Sequence, residues 1–296
     1  MKRILDCYAS DFKQMNSKEL KQSILASEGR TVLSENIVTG SAADGLTNSE
    51  VARAAGADLI LLNALDVYEL YISGLDETNQ PIQRLKEMLG RPIGVNLEPI
   101  DVDADFNESR LSISKGRVAS TDTFQRAEEL GFDFVCLTGN PKTGVTNKEL
   151  IHAVQLAKTE FSGLVIAGKM HQSGVAEEVM SVNVAEELIE AGVDVILMPA
   201  VGTVPGVDEE TSKRIVRLAK KSGVLTMASI GTSQESADSA TIRQIGLMNK
   251  MIGFDIHHIG DAGYAGIAPY ENIIELSKTI RGNRHTLRRM ADSVNR

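Results

Sequence analysis

The chain has 296 residues, of which 42% are hydrophobic and 24% charged, a balance that is ordinary for one globular α/β domain. A formal net charge of -9 argues against a nucleic-acid partner, and two cysteines outside any CxxC or metal-type spacing argue against a disulfide framework or a zinc site. No apolar run has the roughly 18 residues that a membrane span requires, and the N-terminus lacks the apolar core of a signal peptide. We therefore expect no membrane partner and a cytoplasmic location.

The first predicted element is a helix at about 17–26, in an N-terminal segment (1–28) that we expect to cap one end of the fold. Beyond it, one motif recurs four times: a helix end, a Gly, one further residue, an Asp and an apolar run. Gly at a helix end suits a left-handed C-cap, and an unbroken apolar run is typical of a buried strand. The copies are AAGADLILLN (54–63), ELGFDFVCLT (129–138), EAGVDVILMP (190–199) and MIGFDIHHIG (251–260).

Four more apolar runs alternate with these copies, and helical stretches separate all eight. Eight alternating β and α units favour one domain (1–296) that forms a parallel (β/α)8 TIM barrel of the α/β class, with an open doubly wound sheet as the alternative. The additional runs are 31–38, 91–99, 162–171 and 222–231, and the predicted helix starts are capping boxes at Thr47–Glu50 and Thr146–Glu149 and N-caps at Asn183 and Asp208.

Three further segments carry specific expectations. The connection at 99–119 follows the third strand and is long enough to be a lid or a disordered segment. His257 and His258 alternate along the eighth strand, so only one of them can face the barrel interior. The basic segment 281–290 is expected to be a solvated helix face, or a surface that meets an acidic neighbour in a homo-oligomer.

Chemistry in parallel barrels lies at the C-terminal ends of the strands, and Lys169 and His171 end the fifth strand. A partly desolvated lysine has a lowered pKa and can form a Schiff base with a carbonyl substrate, while His171 can transfer a proton. The alternative is that Lys169 pairs electrostatically with Glu98 or with a substrate phosphate. Glu98 and Asn96 share a face of the third strand, and Asn63 ends the second, where both amides can orient a substrate.

The loops after strands seven and eight predict a phosphate site. Both are rich in Gly and hydroxyl residues, and Gly allows the backbone N–H groups to approach an anion closely. Ordinary turn chemistry is the alternative. The residues assigned to a small phosphorylated substrate are Gly231, Thr232, Ser233, Gly260, Asp261 and Gly263.

Carboxylates also cluster near the tops of the first three strands, at Glu35, Asp66, Glu98, Asp101 and Asp103. Three such groups can hold Mg²⁺, with Asp66 and Glu98 as the candidate ligands. The alternative is a set of solvated loop acids. No other cofactor is indicated.

With AGADLILLN at its second strand, the chain resembles the phosphoenolpyruvate mutase and isocitrate lyase group in architecture. It departs from that group because its third strand reads GVNLEPIDVDAD, with the acids displaced into the loop, and because no cysteine-containing KKCGH-like loop is present. Catalytic residues therefore do not carry over. The whole chain resembles an uncharacterised barrel family of Gram-positive bacteria.

A second resemblance is to haloacid-dehalogenase-type phosphatases, through PIDVDADF (99–106) and IGDAG (259–263). That family needs its DxD directly after the first strand of a doubly wound domain, whereas here it follows the third strand, so we disfavour a hydrolase. The sequence favours a lyase- or aldolase-like enzyme acting on a small phosphorylated metabolite. A Mg²⁺-dependent mutase-like enzyme with an enolate intermediate, or a non-catalytic barrel that binds a phosphometabolite, are the alternatives.

Overall fold

The computed structural model describes residues 1–105 and 109–296. Eight parallel strands pair in sequential order and close into a barrel, which confirms the predicted fold and excludes the open sheet. A closed barrel is also not the doubly wound domain on which the hydrolase interpretation depends. The strands are β1 (Thr31–Ile37), β2 (Leu59–Asn63), β3 (Ile93–Asn96), β4 (Phe134–Leu137), β5 (Leu164–Gly168), β6 (Val195–Pro199), β7 (Leu225–Ile230) and β8 (Ile256–Ile259).

Helices connect the strands, and short 3-10 turns occur at Ile4–Asp6, Lys115–Arg117 and Gln234–Ser236. The capping box at Thr47–Glu50 and the caps at Thr146 and Asp208 are present, but Ser181 rather than Asn183 caps the seventh helix. The helices are α1 (Ala9–Phe12), α2 (Ser17–Leu25), α3 (Asn48–Ala54), α4 (Pro81–Leu89), α5 (Thr121–Glu129), α6 (Asn147–Glu160), α7 (Val182–Glu190), α8 (Glu209–Lys221), α9 (Ser239–Ile252) and α10 (Tyr270–Ala291).

The recurring aspartate joins each even strand to the strand before it. The backbone N–H of Asp58 donates to the carbonyl of Val32 at 2.9 Å, and its Oδ2 accepts from the N–H of the same residue at 2.8 Å. We call this two-bond contact the aspartate clamp. The other three aspartates of the repeat make the same contact, Asp133 with Ile93, Asp194 with Val165 and Asp255 with Thr226.

The aspartate clamp gives all four strand pairs the same register, so side-chain direction can be counted from it. Residues at odd offsets from a clamped residue point into the barrel, as Leu33 and Met227 do within the inner apolar cluster. Residues at even offsets point outward, toward the helices. On β8, Ile256 belongs to the inner cluster, so His258, two residues later, points inward. His257 points outward, where its Nε2 lies 3.0 Å from the carbonyl oxygen of Gly29.

Two apolar clusters stabilise the barrel. One fills the space between the strands and the surrounding helices, and the other fills the interior. The N-terminal segment belongs to the second, since Ile4, Leu5, Phe12, Leu20 and Ile24 pack with the inner residues of the strands. The N-terminal segment thereby covers this end of the barrel interior.

The basic C-terminal segment is solvated on one side only, where Asn283, Arg284 and Leu287 are exposed. Arg281 and Arg289 are buried, and both pair with the buried carboxylate of Asp58, at 2.5 and 2.7 Å. Gly282, with φ of 74°, interrupts α10 between them. The arginines thus attach the last helix to the first aspartate clamp.

The long connection after β3 is described except for 106–108, which contain the last residue of PIDVDADF. Its described part packs on the neighbouring loops: the Asp101 N–H donates to Gly144, and Val118 pairs with Glu98. No helix in the described ranges is long and apolar enough to cross a membrane.

We expect Asp58→Asn to lower the free energy of unfolding by about 3 to 5 kcal/mol, because an amide can still accept from Val32 but leaves buried Arg281 without its carboxylate partner and Arg289 with only Asp292 among the described carboxylates. Urea unfolding followed by circular dichroism measures this loss. Asp194→Asn is the matched control: its two lysine partners are partly exposed, so its loss should be near 1 kcal/mol. Equal losses at the two positions would contradict the role assigned to the buried arginines.

Candidate active site at the C-terminal ends of the strands

A cavity of about 160 Å³ opens at the C-terminal ends of the strands. This volume suits a ligand of roughly six non-hydrogen atoms, since a cavity of about 150 Å³ accommodates benzene. The lining residues come from the ends of six strands and the loops that follow them. They are Glu35, Asn63, Thr138, Gly139, Asn140, Pro141, Met170, His171, Gly231, Thr232, Ser233, Glu235, Gly260, Asp261 and Ala262.

A chain of three buried side chains runs through the inner wall. Glu35 Oε2 lies 2.8 Å from His258 Nε2, and His258 Nδ1 lies 2.9 Å from Ser229 Oγ. Burial raises the pKa of Glu35 to about 8 and lowers the pKa of His258 to about 4. At pH 7 the pair therefore holds its proton on the carboxyl group and is uncharged, and Glu35 can offer that proton to a ligand.

Asp261, at the end of β8, is the second titratable wall residue. Its Oδ2 accepts from Asn63 Nδ2 at 2.8 Å. Burial, together with the charge of Glu35, raises the pKa of Asp261 to about 7. A carboxyl group with this pKa can both accept and release a proton at neutral pH, which is the property required of a general acid or base.

Three asparagines from different strands form one hydrogen-bonded network. Asn63 and Asn140 bond reciprocally through their amides, at 2.9 and 3.0 Å, and Asn96 Nδ2 donates to Asn63 at 3.1 Å. The network brings together predicted substrate-orienting residues, although Asn96 lies behind the cavity rather than on its surface. It fixes the amide of Asn63 toward Asp261.

Glu98 supports this network from outside the cavity. Its carboxylate accepts from the backbone N–H and the side chain of Asn140, both at 2.8 Å, and pairs with Arg117 at 2.7 Å. Arg117 comes from the long connection after β3. The geometry thus makes Glu98 a positioning residue whose charge is already compensated.

The proposed Mg²⁺ ligands do not form a metal site. Asp66 accepts from the backbone N–H groups of Tyr68 and Glu69 and so closes a local turn, while Glu98 is engaged by Arg117 and Asn140. Within residues 1–105 and 109–296, no group of three or more His, Cys, Asp or Glu side chains could hold a metal ion. These residues do not fit Mg²⁺, and no step is assigned to it.

The structure separates Lys169 from His171. Lys169 follows directly after the end of β5, and it pairs with Glu177 at 2.8 Å without lining the cavity. Burial lowers its pKa despite that partner. His171 does line the cavity, because β5 ends at Gly168 and the chain turns; its Nδ1 accepts from the N–H of Ser173.

The two glycine-rich loops both reach the cavity. Gly231, Thr232, Ser233, Gly260 and Asp261 line it, whereas Gly263 packs against the carbonyl of Ile267 and does not. Thr232 and Ser233 adopt left-handed backbone conformations, with φ of 55° and 70°. Two consecutive non-glycine residues in this region carry strain of the kind that is concentrated at functional sites.

Glu235 is a wall residue that the sequence analysis missed. It is fully buried and lines the cavity from the 3-10 turn after β7, and among the described residues no side chain donates to its carboxylate, which faces only the backbone N–H groups of Glu235 itself and of Ala262. Burial raises its pKa. The segment SIGTSQES (229–236) contains this glutamate in a loop at the C-terminal end of a strand, but the phosphate prediction depended only on the Gly and hydroxyl residues of the loop.

A family model described as Domain of unknown function (DUF7916) matches residues 5–296. The chain belongs to this family. No curated protein matches it in sequence. The predicted Gram-positive origin stays a prediction.

Known structures share the barrel with this family member. An archaeal fructose 1,6-bisphosphate aldolase is 16% identical over 89% of this chain and 100% of its own, with a TM-score of 0.54. A putative fructose-1,6-biphosphate aldolase from Coccidioides immitis is 14% identical over 95% and 98%, at 0.52. A 2,3-dimethylmalate lyase of the PEP mutase/isocitrate lyase superfamily is 14% identical over 86% and 80%, at 0.50. At these identities the likeness is one of fold.

Asp261→Asn should make the protein less sensitive to pH. The folded-state pKa of about 7 lies above the ordinary value of 3.8, so the native state holds an extra proton and loses stability as pH rises from about 4 to 7. The melting temperature of the variant, relative to the native protein, should therefore increase across that window and level off above it.

Differential scanning calorimetry at half-unit pH steps measures this difference, and the variant of the exposed Asp44, Asp44→Asn, is the control that should show no such trend. If the difference in melting temperature between Asp261→Asn and the native protein did not change with pH, Asp261 would ionise in the fold as readily as in the unfolded chain.

Proposed function

We propose that this protein is an enzyme of the lyase or aldolase type that works by proton transfer on a small metabolite. The observation that carries the proposal is the pair Glu35 and Asp261, two buried carboxyl groups with pKa values of about 8 and 7 on the wall of one small cavity. Two titratable groups of this kind, held at the catalytic end of a parallel barrel, suit general acid–base chemistry near neutral pH.

The two groups have complementary roles. Asp261, when ionised, removes a proton from a carbon next to a carbonyl group, and that proton stays on its carboxylate. Glu35, protonated at neutral pH, donates to the carbonyl oxygen as negative charge develops there. His258 and Ser229 hold Glu35 in place and take part in the same hydrogen-bond chain. The asparagine network orients Asp261.

A Schiff-base mechanism receives less support from this geometry. One structural neighbour is a Schiff base-forming fructose-1,6-bisphosphate aldolase, but at 16% identity it speaks only to the fold. Among the described residues that line the cavity there is no lysine, and Lys169 is paired with Glu177 outside it. Enolate chemistry without a metal is the form of the lyase proposal that the wall residues support best.

That the substrate is phosphorylated stays a proposal: the position of the loops favours it, and the charge of the cavity wall opposes it. The loops containing Gly231–Ser233 and Gly260–Asp261 reach the cavity, as a phosphate site requires. The same loops also contribute Glu235 and Asp261, and the described lining includes neither lysine nor arginine. Acids repel a phosphate dianion, so phosphorylated and unphosphorylated compounds both belong in any screen.

Deuterium exchange tests the chemistry without knowledge of the full substrate. In D₂O the native protein should catalyse the exchange of hydrogen for deuterium at the carbon next to the carbonyl of a small hydroxyketone or oxoacid. Proton NMR measures this exchange as the loss of the signal of that hydrogen. Asp261→Asn and Glu35→Gln should each slow exchange by about 10²- to 10⁴-fold, the usual contribution of a general acid or base. Glu210→Gln, on the exposed face of α8, should have the native rate.

If the hydroxyketones or oxoacids bind and raise the melting temperature, but none of them exchanges its carbon-bound hydrogen for deuterium, the protein is a binding barrel without catalysis. Exchange that is equally fast in Asp261→Asn and the native protein would remove Asp261 from the mechanism.

Borohydride trapping distinguishes enolate from Schiff-base chemistry. Reduction in the presence of an active carbonyl compound should leave the intact mass of the protein unchanged, and Lys169→Met should retain exchange within about threefold of the native rate, because its amine does not reach the cavity. A mass increase that is present in the native protein and lost in Lys169→Met would restore Lys169 as the nucleophile.

A further inference from the structure

We propose that the cavity binds the ammonium group of a small primary amine, held between the carboxyl groups of Glu235, Asp261 and Glu35. This inference rests on the proposed function, because it names the class of substrate on which the same wall residues would act. It does not follow from the acids as a group, but from how each of them is bonded.

Glu235 supplies the decisive contact. The side chain is fully buried and faces the cavity, and among the described residues no side chain donates to its carboxylate and no cation pairs with it; only the backbone N–H groups of Glu235 itself and of Ala262 face it. Its position is held from behind, since Asn272 on α10 donates to the backbone carbonyls of Glu235 and Ala237, both at 2.8 Å. A buried carboxylate without a counter-charge costs free energy, and a cationic ligand would remove that cost.

The neighbouring acids lack a counter-charge as well. Asp261 accepts from a neutral amide, and Glu35 shares a hydrogen bond with a neutral imidazole. The contrast is Glu98, which lies behind the wall and has Arg117 at 2.7 Å. After burial, the charges of other acids destabilise the ionised form of each wall acid: Glu98 and then Glu235 act on Glu35, Glu35 acts on Asp261, and Asp261 acts on Glu235. A cation placed among them would convert these mutual repulsions into attractions.

An ammonium group matches this arrangement better than the other common ligands. It offers three donors and no acceptor, so three carboxyl groups can satisfy it completely. A phosphate would bring acceptors to a wall of acceptors. A divalent metal would need several oxygens in one coordination sphere, and no such group exists among the described side chains. A guanidinium group with its stem would take up most of the roughly 160 Å³.

The rest of the wall indicates what the amine is attached to. Thr138, whose hydroxyl has no partner among the described residues, and His171, whose Nδ1 alone is engaged, line the cavity with groups that are suited to a hydroxyl or carbonyl oxygen. The ligand is thus a short amino alcohol or amino carbonyl compound. With the amine fixed chiefly at Glu235, a carbon next to the oxygen-bearing carbon would lie near Asp261 and Glu35, the groups that transfer protons.

The test is isothermal titration calorimetry of the full chain at pH 8 with isopropanolamine and with propylene glycol, which differ only in an amine for a hydroxyl. The amine should bind at least tenfold more tightly than the diol. Glu235→Gln should reduce amine affinity at least tenfold, and Glu210→Gln should leave it unchanged. Affinity should also fall between pH 8 and pH 6, because protonated wall acids no longer attract the amine.

Equal binding of amine and diol by the native protein would overturn the proposal, and this comparison needs no variant that might fail to fold. So would preferential binding of glycerol phosphate, which would indicate the phosphate site, or of MgCl₂ alone, which would indicate a metal site. Amine binding without deuterium exchange would leave the amine site standing while removing the proposed enzymatic activity, so the two failures are distinguishable.

Discussion

The polar side chains that the odd strands present at the mouth of this barrel take their direction from four aspartates at the opposite end. Each aspartate clamp fixes one odd strand against the even strand that follows, with the same pair of hydrogen bonds. A register error of one residue would turn a whole strand inside out. Because the clamps hold the register, the third residue after each clamped position faces the interior, and these residues include Glu35, Asn96 and Ser229. The chemistry of the mouth is therefore a consequence of bonds made about four residues below it.

The aspartate clamp also explains how much of the fold and of the site could be predicted from the sequence. The alternating units, the four-copy repeat and the helix that caps the barrel bottom are local patterns, and they predict the closed barrel. Counting from each aspartate would also have distinguished His258 from His257. The sequence analysis instead grouped Lys169 with His171 by period alone, but β5 ends at Gly168 and the period does not continue through the turn. Side-chain direction is predictable only as far as the strand extends.

The rest of the site depends on contacts between distant parts of the chain. Glu235 reaches the cavity because Thr232 and Ser233 adopt left-handed conformations that nothing in their side chains requires, and because Asn272 holds the turn from another helix. The pairing of Glu98 with Arg117 depends on how the long connection folds back on β3. Such features are settled by packing, and no pattern within a short window of sequence specifies them. This is why the loops were correctly placed at the cavity while their most informative residue was overlooked.

The two ends of the barrel treat their acids differently, and the difference separates structure from function. At the clamped end Asp58 pairs with two buried arginines, Asp133 with Lys86, and Asp194 with two lysines, while Asp255 accepts from Thr226 and has no ion pair among the described residues. At the mouth, Glu98 has Arg117, but Glu35, Glu235 and Asp261 all lack a cationic partner among the described residues. A fold gains no stability from three uncompensated buried acids, and three of the four clamp acids are compensated. The presence of the three wall acids together on one cavity is best explained by a ligand that compensates them.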